Sequence, residues 1–171
     1  MFPKIIKLIL AVLTIAFSVF QFIEGAIGNG IFLLLLAGMF ILLYYKNEFI
    51  ILAFFQLRKQ NFEETLKWLN RISSPEKNLV CKQQGYYNYL HGIILSQTNL
   101  TKAEKYFKKS LELGLSMDTD LAMANLSLSG IYMQKRRKRE ATLLLNKAKK
   151  LDTQGVLSGQ IKQMQQQMKR I

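Results

Sequence analysis

Two long apolar runs stand near the amino terminus, and they constrain what the rest of the chain can do. Residues 5–23 read IIKLILAVLTIAFSVFQFI, with one lysine near the start, and residues 26–45 read AIGNGIFLLLLAGMFILLYY, with no charge at all. About 20 apolar residues in a helix match a hydrocarbon layer of about 30 Å, and inside lipid a helix satisfies its own backbone hydrogen bonds. Each run is therefore expected to cross a bilayer, with Lys7 reaching back to the headgroups along its aliphatic stem.

A cleaved signal peptide is the rival reading of the first run, because Lys4 and Lys7 precede the apolar stretch in the order such a signal requires. Phe20-Gln21-Phe22-Ile23-Glu24 lacks a small-x-small cleavage pattern, however, and a second apolar run follows at once, which favours a retained two-helix hairpin. Lys4 and Lys7 flank the first span, Lys46, Arg58 and Lys59 follow the second, and the connecting turn near Glu24 has no cation. The positive-inside rule then puts both termini in the cytosol and gives a multi-pass protein of the inner (cytoplasmic) membrane. The turn contains Gly25, Gly28 and Gly30. With no strand before it and no soluble helix after it, this string is expected to serve a tight turn and a close helix approach rather than a nucleotide loop.

Charge separates the two parts of the chain. Residues 1–45 carry Lys4, Lys7 and Glu24 as their charges, which leaves 22 of the 24 Lys and Arg and 10 of the 11 acids on residues 46–171, a net of +12. That surplus favours an anionic neighbour: phospholipid headgroups, an acidic protein or nucleic acid. Cys81 is the single cysteine and His91 the single histidine. No internal disulfide can form, no metal-ligand cluster of the usual spacing exists, and no Ser/His/Asp or Cys/His set is evident, so neither a cofactor nor an enzymatic activity is expected. Cys81 itself reads as a small buried hydrophobe.

Beyond residue 45 the apolar residues recur at three-to-four spacing, broken by polar turns, as in a succession of helices. A 38-residue period links several positions at once: Leu52, Leu90 and Leu128; Ala53, His91 and Ser129; Thr65, Ala103 and Ala141; Leu69, Phe107 and Leu145. Gly92 and Gly130 also correspond. Such a period is the mark of a repeat array. Tyr87, Leu90, Ala103 and Phe107, with the string TKAEKYFKKSLELG, resemble the tetratricopeptide repeat family. So do Leu128, Ser129, Tyr132, Ala141 and Ala148, while NFEETLKWLNRI keeps the rhythm more loosely. The resemblance implies an all-α fold. Three helical hairpins, at about 46–83, 84–121 and 122–155, would form a solenoid behind the hairpin of residues 1–45. Small residues at Ala103 and Ala141 would let the two helices of a unit approach closely. His91 breaks that rule in the second unit, where Gly92 could serve instead through a one-residue shift. Residues 156–171 carry Leu157, Ile161, Met164, Met168 and Ile171 on one face of a glutamine-rich helix, which suits a terminal cap, with partner binding or a coiled coil as the alternative.

Three features bear on function. Phe49–Leu57 (FIILAFFQL) is apolar all round, and either extends the second span and packs or offers an apolar face. Five cations, Lys135, Arg136, Arg137, Lys138 and Arg139, fall at the turn of the third unit, as a solvated turn or as a surface for anionic lipid. Nucleic acid is less favoured, since no aromatics are interleaved to stack bases. By the resemblance, a groove along the first helices would hold a peptide or folded partner, with Asn88, Tyr89, Met123, Ser127 and Gln134 near its lining. Tyr86, Tyr87 and Tyr89 serve either as interface anchors or as core. The expectation is a membrane-anchored adaptor or scaffold for a membrane-associated protein in envelope assembly, secretion or quality control. The alternative is an accessory factor working through its basic turn.

Overall fold

In the computed structural model, which describes residues 4–45 and 47–169, every regular element is helical. The helices are α1 (Lys4–Ile23), α2 (Ile27–Tyr45), α3 (Glu48–Arg58), α4 (Phe62–Asn70), α5 (Pro75–Asn78), α6 (Cys81–Leu95), α7 (Leu100–Leu113), α8 (Asp118–Gln134), α9 (Lys138–Leu151) and α10 (Ser158–Lys169). Lys46 and Ile171, which entered the orientation and the last stripe, lie outside the described residues. The chain divides into two units, Met1–Ile51 and Leu52–Ile171, and the division falls inside α3.

In the first unit α1 packs along α2. The contact is made by small residues: Ala11, Ser18, Gly30 and Ala37 are buried, while most of the large apolar side chains point outward. Gly25 turns the chain with φ +80°, which suits glycine, and a Cβ at Gly30 would stand 2.7 Å from the Phe22 ring. The Ser18 hydroxyl, buried at this contact, donates to the Gly30 carbonyl at 2.8 Å and is thereby satisfied. Among the described residues one helix, through Ile27–Tyr44, is long and apolar enough to cross a membrane; the apolar part of α1, Leu8–Ile23, is shorter.

Phe49–Leu57 is not a continuation of α2. Asn47 lies outside both helices, and its side chain accepts from the Phe49 N–H at 2.9 Å, an Asx cap that starts α3 afresh. Ile50 and Ala53 are buried, but Leu52 and Phe55 are exposed. Leu52 thus departs from its 38-residue partners Leu90 and Leu128, which are buried.

In the second unit consecutive helices pack as pairs, α6 on α7 and α8 on α9; α7 also meets α8, α4 and α5 rest on α6, and α10 lies on α8 and α9. The period seen in the sequence recurs in the geometry. Thr65, Ala103 and Ala141 have no exposed surface, nor have Leu69 and Phe107, and Leu145 has almost none. Asn61 and Asn99, 38 residues apart, cap α4 and α7 by accepting from the N–H of Glu64 at 3.2 Å and of Lys102 at 3.0 Å. Each such cap contributes about 1 kcal/mol. Gln60 and Arg136, two periods apart, both take positive φ, at 59° and 57°, and close α3 and α8 with the same pair of backbone bonds. Those bonds run Gln60 N–H to Leu57 and Asn61 N–H to Gln56, then Arg136 N–H to Met133 and Arg137 N–H to Tyr132, the Schellman pattern.

Beside His91, Gly92 is a point of close approach between α6 and α7: a Cβ there would lie 2.9 Å from the Phe107 ring. His91 turns aside, stacked on Tyr106 at 5.1 Å and edge-on to Tyr87 at 4.5 Å. Cys81, expected inside, is an exposed free thiol at the start of α6, because the position precedes the packed stretch of that helix.

Candidate functional site

The expected groove residues divide by burial. Tyr89 is 4% exposed and fills the core, its ring edge-on to Phe107 at 6.2 Å and to Tyr86 at 6.5 Å. Asn88 is also buried, and its amide donates to the Gln84 carbonyl one turn back at 2.7 Å. Both are interior groups that offer a partner little surface. Tyr86 is half-buried and its hydroxyl donates to Asp120 at 2.6 Å, tying α6 to the start of α8. Burial pushes its pKa up to about 12, and the Asp120 bond adds to this.

Met123 and Ser127 remain partly accessible on α8, and with Leu126 they form one wall of a shallow depression of about 300 Å³. The other wall is α10, through Gln160, Gln163, Met164 and Gln167. Two of the five expected lining residues are thus brought together with a wall that the groove reading did not include. Its sequence signal was present: these glutamines flank the Leu157, Ile161 and Met168 stripe, whose burial against α8 and α9 seats the helix. Gln134 stands apart, exposed at the last turn of α8.

The basic turn is not five equivalent cations. Glu104 of α7 lies beneath it, 8% exposed. Lys135 and Lys108 each donate to its carboxylate at 2.6 Å, and Arg137 approaches to 3.7 Å. Arg137 also forms a two-pronged pair with Glu140 and lays its guanidinium over the Tyr132 ring at 4.5 Å. Burial works to raise the Glu104 pKa, but the bonds and charges of Lys108 and Lys135 overcome it and hold the group at about 2. Arg137 occupies the position where Asn61 and Asn99 supply caps, and α9 accordingly begins with no side-chain cap. Arg136, Lys138 and Arg139 are exposed, and among the described residues none of the three has an ion-pair partner.

No group of three or more potential metal ligands occurs among the described residues. His91 is buried with its Nε2 unpartnered, and burial lowers its pKa to about 4, so it is neutral at pH 7. Comparison with protein-family models, with curated proteins and with solved structures finds no match for the chain.

Proposed function

We propose that the chain is a membrane-anchored adaptor of the tetratricopeptide type, multi-pass in the inner membrane with both termini cytosolic, acting by binding a protein. The reading rests chiefly on one observation: enclosed small residues recur at Thr65, Ala103 and Ala141 in a chain that also has an apolar helix of bilayer length, Ile27–Tyr44. The paired caps at Asn61 and Asn99 and the paired turns at Gln60 and Arg136 support the same repeat unit. The small-residue contact between α1 and α2 is of the kind that lets two helices associate in lipid, where apolar surface alone gives no drive.

On this reading α10 caps the array, and the depression between α8 and α10 receives the partner. Its wall of Met123, Met164 and four polar side chains suits a mixed apolar and amide-rich contact with one linear segment or one small surface. The partner's setting would be envelope assembly, secretion or quality control, and no catalysis is assigned. A second reading, binding of anionic lipid or nucleic acid at the turn, draws on the three exposed cations Arg136, Lys138 and Arg139.

Fractionation tests the anchor. The full chain should stay with membranes through an alkaline carbonate wash, and a tag on either terminus should be digested only after the cytosolic face is opened to protease. Release by carbonate, or a terminus digested before the cytosolic face is opened, would remove the basis of the proposal.

A further inference from the structure

The outward face of α9 is a charged stripe that the depression does not use. Ala141, Leu145 and Ala148 turn inward and are buried. At 100° per residue the opposite side carries Arg139, Leu143, Asn146, Lys147 and Lys150, all exposed, with Leu143 58% accessible among the cations. Among the described residues no ion pair neutralises Arg139, Lys147 or Lys150. The nearby acids are engaged elsewhere: Glu140 with Arg137, and Asp152 with the Leu157 N–H at 3.0 Å.

We infer that this face of α9 docks on anionic phospholipid headgroups, with Leu143 entering the acyl boundary. The stripe is the outward side of a single helix; its exposed cations complement anionic headgroups, and their long aliphatic stems let the charges stay among those headgroups while the neighbouring Leu143 reaches below them. Nucleic acid fits less well, because the stripe has no aromatic side chain on which a base could stack, and Leu143 would gain nothing among phosphates. Lipid is favoured over an acidic protein because the same chain carries an apolar helix of bilayer length, which raises the local concentration of a membrane surface. The inference rests on the anchored reading.

The test uses the full chain with Cys81→Ser, to remove the exposed thiol, and Asn146→Cys carrying a solvent-sensitive fluorophore. The protein is reconstituted in bilayers of phosphatidylcholine alone or with about 30 mol % phosphatidylglycerol, a content that gives a strongly negative surface. A blue shift is expected in the anionic bilayer only, reversed by about 0.5 M salt. A matching label at Glu112→Cys, on α7, should not respond. Neutralising Arg139, Lys147 and Lys150 together to Gln should weaken binding to added anionic vesicles at least about tenfold, and Leu143→Ser should weaken it less. Equal emission in the two bilayers would overturn the inference, as would a shift produced by polyuridylate or by an acidic peptide in place of phosphatidylglycerol. Should carbonate extract the chain, the anchor has failed; the added vesicles then still decide whether the face binds lipid.

Discussion

Replacing Glu104 by Gln keeps the shape of the side chain and removes the charge that Lys108, Lys135 and Arg137 converge on. The carboxylate is almost enclosed, with its two lysine bonds at 2.6 Å, and its pKa falls from 4.5 to about 2. Taken at face value that fall corresponds to roughly 3 kcal/mol of folded-state stability. Lys108 and Arg137 are about half exposed, so solvent screening reduces the expected contribution to about 2 kcal/mol. For a unit of this size such a loss lowers the melting temperature by roughly 6–10 °C. The sign follows from the depressed pKa. The contribution is fully present above the unfolded carboxylate value and is lost as pH falls through the folded one. Melting of the full chain in detergent, followed by circular dichroism, should therefore show Glu104→Gln well below the wild type at neutral pH, with the gap closing between pH 4.5 and about 2. Equal melting at neutral pH, or a gap that persists unchanged in acid, would refute the view that this cluster ties α7 to the α8–α9 turn.

Other substitutions probe separate links. Gly92→Ala should destabilise by about 1–3 kcal/mol, since its Cβ would press on Phe107, whereas Gly159→Ala, with open space around it, should be neutral or slightly stabilising in the same melts. Asn99→Ala should cost about 1 kcal/mol through loss of the α7 cap, read as faster hydrogen exchange in the first turn of that helix. For His91, burial holds the folded pKa near 4, below the ordinary value of 6.5, so the unfolded chain takes up the proton first and stability falls as pH drops from 6.5 towards 4. His91→Leu should be less sensitive to pH across that window, and an unchanged profile would count against a neutral buried imidazole. In the first unit, Gly30→Ala should weaken the α1–α2 contact, because its Cβ meets the Phe22 ring; disulfide trapping of cysteines across that contact would measure the loss.

Much of this was legible in the chain because local rules agreed with one another. The apolar runs gave α1 and α2 to within a few residues, and the 38-residue period picked out Ala103, Ala141, Phe107 and Leu145 before their burial was seen. The caps at Asn61 and Asn99 follow the same period. What escaped depended on contacts between distant residues. Tyr89 and Met123 both read as lining by register, but only the packing of Phe107 decides that Tyr89 is interior. Five adjacent cations looked alike until Glu104, 31 residues before Lys135, divided them. Leu52 kept the period without the burial, since repeat position alone does not supply a neighbour. Cys81 illustrates the limit of composition, because a residue type that is usually enclosed stands here at an exposed helix start.

The proposed binding of a protein partner in the α8–α10 depression has a direct readout. That readout is photocrosslinking in intact cells, with a photoreactive residue at Ser127 and a control at Glu112, followed by mass spectrometry of the adducts. A discrete protein adduct is expected from Ser127, absent from Glu112 and persisting at high salt. Adducts from Ser127 only to lipid or nucleic acid, or the same adducts from both positions, would contradict it.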